Sequence, residues 1–123
     1  MSAETVNFFF TLREQIKLYH WQTHLYSRHK ATDMVIESLD KSIDQYVEIY
    51  IGKYGRPKVS KMTGTIRIQN LSETSIVRFI RNAIQYLTYE LTDGLKPTDT
   101  DLHNLRDEML GEMNQLLYLF TLR

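Results

Sequence analysis

Apolar side chains recur at steps of three and four residues through four stretches of the chain, the spacing of helices that bury one face. The first stretch runs from about Ala3 to Thr23, with Val6, Phe9, Leu12, Ile16 and Tyr19 on one side and Ser2 placed to cap it. The second runs from about Arg28 to Tyr54, carries Val35, Leu39, Ile43, Tyr46, Val47 and Tyr50, and stops at Gly55 and Pro57. A third, about Glu73 to Leu91, opens after Ser72, turns Ile76, Phe79, Ile80, Ala83, Ile84 and Leu87 inward, and ends at Asp93 and Gly94. The fourth begins after Pro97, where Thr98 and Asp101 have capping-box spacing, and repeats Leu102, Leu105, Met109, Met113, Leu116 and Phe120 to the end.

Four such helices in one small domain pack most economically as an all-α four-helix bundle. Short turns after the first and third helices make each antiparallel to its successor. The link from Arg56 to Leu71 is much longer. At roughly 3.3 Å per residue it reaches about 50 Å, enough to run back along the second helix and start the third parallel to it. Within it, Thr65 to Ile68 alternates polar and apolar, like an extended segment lying on the bundle.

Composition narrows the classes. With 123 residues, 42% of them hydrophobic, the chain makes one domain spanning residues 1–123 around one core. Fifteen basic residues balance fifteen acidic ones, so bulk charge suggests neither a nucleic-acid partner nor an anionic membrane. The absence of cysteine removes thiolate metal sites and disulfides. No apolar run approaches a membrane span, and Val6 to Phe10 is too short and wrongly flanked for a signal peptide. A soluble, cytoplasmic chain is the expectation.

The chemically suggestive residues lie on the second helix: His29, Asp33, Glu37, Asp40, Asp44 and Glu48 fall within one wedge about 100° wide. Acidic residues at helical spacing usually only solvate a face. Here, however, Lys41 is the one cation between Asp33 and Glu48, and five carboxylates repel one another unless something positive neutralises them. The first helix adds His20 and His24. Imidazole with carboxylate is a ligand set for iron or a similar divalent transition metal, whereas oxygen alone suits Ca²⁺ or Mg²⁺.

The run Tyr19-His20-Trp21, followed by His29, Asp33, Asp44 and Glu48, resembles the ferroxidase signature of the Dps mini-ferritins. In that family a His before Trp ends the first helix, a second His opens the next, and Asp, Asp and Glu follow at intervals of four, eleven and four, as they do from His29 onward. The resemblance covers residues 17–57 well and 99–119 loosely. The string around His20, His29 and Gly52-Lys53-Tyr54-Gly55-Arg56 is also similar to small ferritin-like proteins of large viruses. The resemblance implies a ferritin-like four-helix bundle that assembles at least as a homodimer. It also implies an iron site in which His20, His29 and Asp33 of one subunit face Asp44 and Glu48 of a two-fold-related one. Iron oxidation is the implied activity, and Trp21 would be placed to donate an electron.

There are departures. The turn from His20 to His29 is shorter than the family's, which makes His24 an alternative first ligand. No lysine-rich arm precedes the first helix, and only Lys58 and Lys61 offer a modest basic patch, so DNA binding is not expected. The intrasubunit di-iron centre of ordinary ferritins requires Glu-x-x-His, which is absent, although Glu14, Glu108 and Glu112 supply carboxylates. The succession Phe8-Phe9-Phe10 and eight tyrosines exceed what one helix face buries, which fits an interface. The same aromatics would serve a non-catalytic oligomeric interaction or scaffold protein on the same bundle.

Overall fold

The computed structural model describes residues 1–123 and contains four helices and no strand: α1 (Ala3–Gln22), α2 (Tyr26–Tyr54), α3 (Ser75–Tyr89) and α4 (Thr100–Leu119). Every helix lies where hydrophobic periodicity places it, and the differences are at the ends. Ser2 caps α1, accepting a hydrogen bond from the Thr5 N–H at 3.2 Å. α2 starts at Tyr26, earlier than its apolar stripe, with Leu25 as an N-cap that offers no side-chain acceptor. Ser72 does receive the Ser75 N–H at 3.0 Å, but α3 becomes regular only from Ser75. The Thr98–Asp101 capping box does not form: Asp99 is the N-cap of α4, and its carboxylate is used on Lys53, Tyr54 and the Lys96 N–H.

End-to-end contacts set the topology. Lys53 and Tyr54 at the end of α2 meet Asp99 and Asp101 at the start of α4, so these two helices are antiparallel. At the opposite end Arg28 reaches both Phe120, just past α4, and Glu73, just before α3, so α3 runs parallel to α2. α1 returns against α2, and its start meets the end of α3 through Thr5 and Tyr86. The link between α2 and α3 forms no strand and lies along α1. Asn7 donates to the Thr63 carbonyl, and the buried Gln15 both donates to the Gln69 carbonyl at 2.7 Å and accepts its N–H at 3.0 Å. Thr65 to Ile68 belongs to this extended strap.

The core is one continuous apolar cluster drawn from all four helices, with Leu12, Ile16, Leu39, Ile76, Ile80, Leu87, Leu102, Met109, Met113 and Leu116 almost wholly enclosed. Each such side chain contributes roughly 1.5–3 kcal/mol by leaving water. The phenylalanine run divides: Phe9 joins the core, Phe8 stacks on Tyr86 of α3, and Phe10 stays exposed beside Arg13. No helix is long and apolar enough to cross a membrane.

Candidate functional site

His20 near the end of α1 and His29 near the start of α2 are brought face to face by the tight antiparallel turn. Their rings stack with centroids 4.0 Å apart and planes 12° from parallel. Each anchors the other's backbone: His20 Nδ1 donates to the His29 carbonyl at 2.8 Å, and His29 Nδ1 donates to the His20 carbonyl at 2.9 Å. A carbonyl only accepts, so Nδ1 carries the hydrogen on both rings, and in a neutral ring Nε2 keeps the lone pair. Thr32, fully buried, completes the lock. Its hydroxyl donates to the Arg28 carbonyl at 2.7 Å and offers a lone pair to His20 Nδ1 at 2.9 Å. Burial, reinforced by the neighbouring His29, lowers the His20 pKa and favours the neutral ring that a metal requires.

Anchored Nδ1–H with free Nε2 is the arrangement that orients metal-ligating imidazoles. Asp33 follows one turn after His29, exposed, with its carboxylate 4.0 Å from His20 Nε2. His24 sits exposed on the turn, apart from the pair, so the structure puts His20 and not His24 beside His29. Trp21 projects from the end of α1, 68% exposed, with Lys17 Nζ 5.7 Å from its ring centre.

Asp44 and Glu48 share the outer face of α2 with Asp33 but lie about 22 and 28 Å farther along the helix than His29. They cannot join the histidines of their own chain. No three His, Asp or Glu side chains of one chain converge closely enough to hold a metal ion. Asp40, in the same wedge, is instead held by Arg13 of α1 at 2.6 Å. Glu14 pairs with Arg13 as well. Glu112 accepts from Ser38 and Ser42 at the α2–α4 contact, its other oxygen is buried without a partner, and burial raises its pKa.

A second cluster fixes the end of the bundle that carries the histidines. Arg28 donates to the Glu73 carbonyl at 2.6 Å and to the Tyr19 hydroxyl at 3.1 Å, while its guanidinium lies 4.5 Å from the centre of the Phe120 ring. Glu73 accepts from Tyr19 and Thr23. Burial works to raise the Glu73 pKa, but these hydrogen bonds and the Arg28 charge outweigh it and the net direction is down. Tyr19 and Arg28 immediately precede His20 and His29, so the cluster holds the backbone from which both imidazoles hang. The motifs assign no role to Thr32, Arg13 or Arg28, although Arg28 and Thr32 lie within the string that carries the resemblance. The only sequence signal for Thr32 is its place one turn after Arg28 and beside Asp33, too common to single it out.

The fold and the site thus define an all-α protein of four helices with a locked histidine pair at one end and an unmatched acidic face along α2. Residues 20–120 match the model of a "Family of unknown function (DUF5856)", and the chain belongs to that family. The "Uncharacterized 14.6 kDa protein in mobD-ri intergenic region" of Enterobacteria phage T4 is 27% identical over 103 residues, which cover 84% of this chain and 74% of the phage protein. No solved structure matches.

Proposed function

We propose that this chain is a ferritin-like, homo-oligomeric iron-binding bundle of the cytoplasm whose site is completed by a second subunit. The substrate is Fe²⁺, bound by Nε2 of His20 and His29 and by Asp33 of one chain with Asp44 and Glu48 of the other. Each Fe²⁺ gives one electron to an external oxidant, dioxygen or peroxide, and leaves as Fe³⁺. The observation that carries this reading is the reciprocal His20–His29 lock, in which both Nδ1–H groups are held on backbone carbonyls and Nε2 is left as the ligating atom of each neutral ring.

The acidic face supports it too. Arg13 neutralises Asp40, but Asp44 and Glu48 have no ion pair within the chain, and a cation shared between subunits relieves their repulsion. In this reading Trp21, exposed and next to His20 in the chain, is the residue that passes an electron to the oxidant. Replacing Asp33 or Glu48 with Ala is expected to abolish Fe²⁺-dependent oxidation with helicity intact; unchanged oxidation kinetics would overturn the proposal.

A second reading, a non-catalytic oligomeric scaffold, is favoured by the aromatic groove between α1 and α3, about 580 Å³ in volume and lined by Phe8, Phe79, Tyr86 and Tyr89. Elemental analysis of protein from iron-supplied cells separates the two: iron in proportion to subunits supports the first, metal-free oligomers the second.

A further inference from the structure

One seam of the bundle is open. α2 packs on α1 and α4, and α3 packs on α4, but α1 and α3 meet through Tyr86, whose ring stacks on Phe8 with centroids 3.9 Å apart and whose hydroxyl lies 3.2 Å from Thr5 Oγ1. Two cavities of about 580 and 410 Å³ follow this seam, and Glu4, Tyr86 and Glu90 border both. Pockets of roughly 300–1,000 Å³ with aromatic walls and a few polar groups are the usual size for small-molecule ligands. Glu4 lies about 24 Å along α1 from His20, so the seam and the histidine pair are separate places.

The walls are aromatic and the charges have one sign. Phe8, Tyr86 and Tyr89 line the larger cavity, and the buried Tyr46 lines the smaller with Tyr50. Glu4 and Glu90 at their shared border, and Asp93 at the smaller, are exposed, and none has an ion-pair partner within the chain. No lysine, arginine or histidine lines either cavity, and burial lowers the pKa of the Met1 amino group at the edge of the smaller one. Arg106 of α4 is occupied elsewhere: it donates to the Leu87 and Thr88 carbonyls and pairs with Asp107. Burial, seconded by the charges of Glu4 and Glu90, raises the Tyr86 pKa despite the Thr5 hydrogen bond, so both carboxylates act at that ring. Aromatic faces and carboxylates attract the same kind of group, a positive charge carried on an apolar body. Anions are repelled here, and a neutral apolar molecule makes no use of the carboxylates.

We propose that the seam between α1 and α3 binds a small organic ammonium ion, with its apolar body among Phe8, Tyr86 and Tyr89 and its charged nitrogen held by Glu4 and Glu90.

The test is a titration of the whole chain with 2-phenylethylammonium, followed by amide NMR, beside two probes of the same shape, neutral 2-phenylethanol and anionic 3-phenylpropanoate. Shifts are expected on both sides of the seam, around Glu4 to Phe8 and Tyr86 to Glu90, with the alcohol about tenfold weaker and the carboxylate weaker still. Glu4→Gln and Glu90→Gln are each expected to weaken the ammonium about threefold and to leave the alcohol unchanged, which shows that the cavity itself is intact. Glu37→Gln, on the acidic face of α2, should alter nothing. An alcohol that binds as tightly as the ammonium overturns the proposal, as do shifts confined to α2 or a loss of binding in Glu37→Gln. It is also overturned if the seam amides shift with protein concentration in the absence of any probe, because another copy of the chain then fills the groove.

Discussion

Removing one buried hydroxyl, in Thr32→Val, isolates the device that prepares the histidine pair. Thr32 is fully enclosed, and its oxygen stands 2.9 Å from His20 Nδ1 while donating to the Arg28 carbonyl. Valine keeps the shape and loses both bonds. The carbonyl of residue 28 retains its helical partner and His20 Nδ1 retains the His29 carbonyl, so neither group is orphaned and the loss is about 1–2 kcal/mol rather than a full burial penalty. For a chain of this size that lowers the melting temperature by about 4–10 °C. Thr32→Ser, which keeps the hydroxyl, should recover more than half of the loss. Nitrogen NMR of the imidazoles should report the Nδ1–H tautomer for His20 both in wild type and in Thr32→Val, because the His29 carbonyl still accepts that hydrogen. Affinity for Fe²⁺ measured without oxygen should fall about 10–100-fold, the usual effect of removing a group that orients a ligand. A Thr32→Val protein with an unchanged melting temperature would refute the contribution of Thr32 to the lock.

Three further outcomes follow from the same geometry. Arg28→Met removes a charge-donated hydrogen bond of about 1.5 kcal/mol and a cation–π contact of about 1 kcal/mol, and the half-exposed ion pair with Glu73 adds little, so calorimetry should show a loss of about 2–3 kcal/mol. Asp99, held down to about 2 chiefly by the Tyr54 hydroxyl with help from Lys53 and the Lys96 N–H, has a folded pKa below its unfolded one. Its stabilising contribution is complete above the ordinary carboxylate value and lost as pH falls from about 4 toward 2, so an acid melting series should fall more steeply for wild type than for Asp99→Asn. Glu112 is shifted the other way by burial, and its charge costs stability at neutral pH; Glu112→Gln should therefore melt higher at pH 7, with the gain shrinking as pH falls below the raised folded pKa, where Glu112 itself becomes neutral.

What could be read from the chain and what could not divide along a physical line. The stripes on α1 to α4 are local repeats of burial, so periodicity finds all four helices, and the acidic wedge on α2 follows from the same geometry. The return of the long link along the bundle is also legible, since its length allows little else. Helix ends were less so: Asp99 sits where a cap belongs, but a lysine and a tyrosine from α2 claim its carboxylate, a competition visible only in three dimensions. The neutralisation of Asp40 by Arg13 crosses two helices and leaves no trace in the spacing of α2. The histidine lock runs through backbone carbonyls, which every residue has and no motif records. Asp44 and Glu48 form no ion pair within the chain, and no pattern within one helix specifies what meets them.

The most direct test of a shared site is complementation between two inactive variants. His29→Ala and Asp44→Ala, each expected to lose Fe²⁺ oxidation alone, should regain it when dissociated together and reassociated. A mixed dimer holds one site built from intact halves, so statistical mixing restores about a quarter of the wild-type rate. Either variant oxidising Fe²⁺ at the wild-type rate by itself, or a mixture of proven mixed dimers that remains inactive, would contradict a site shared between subunits.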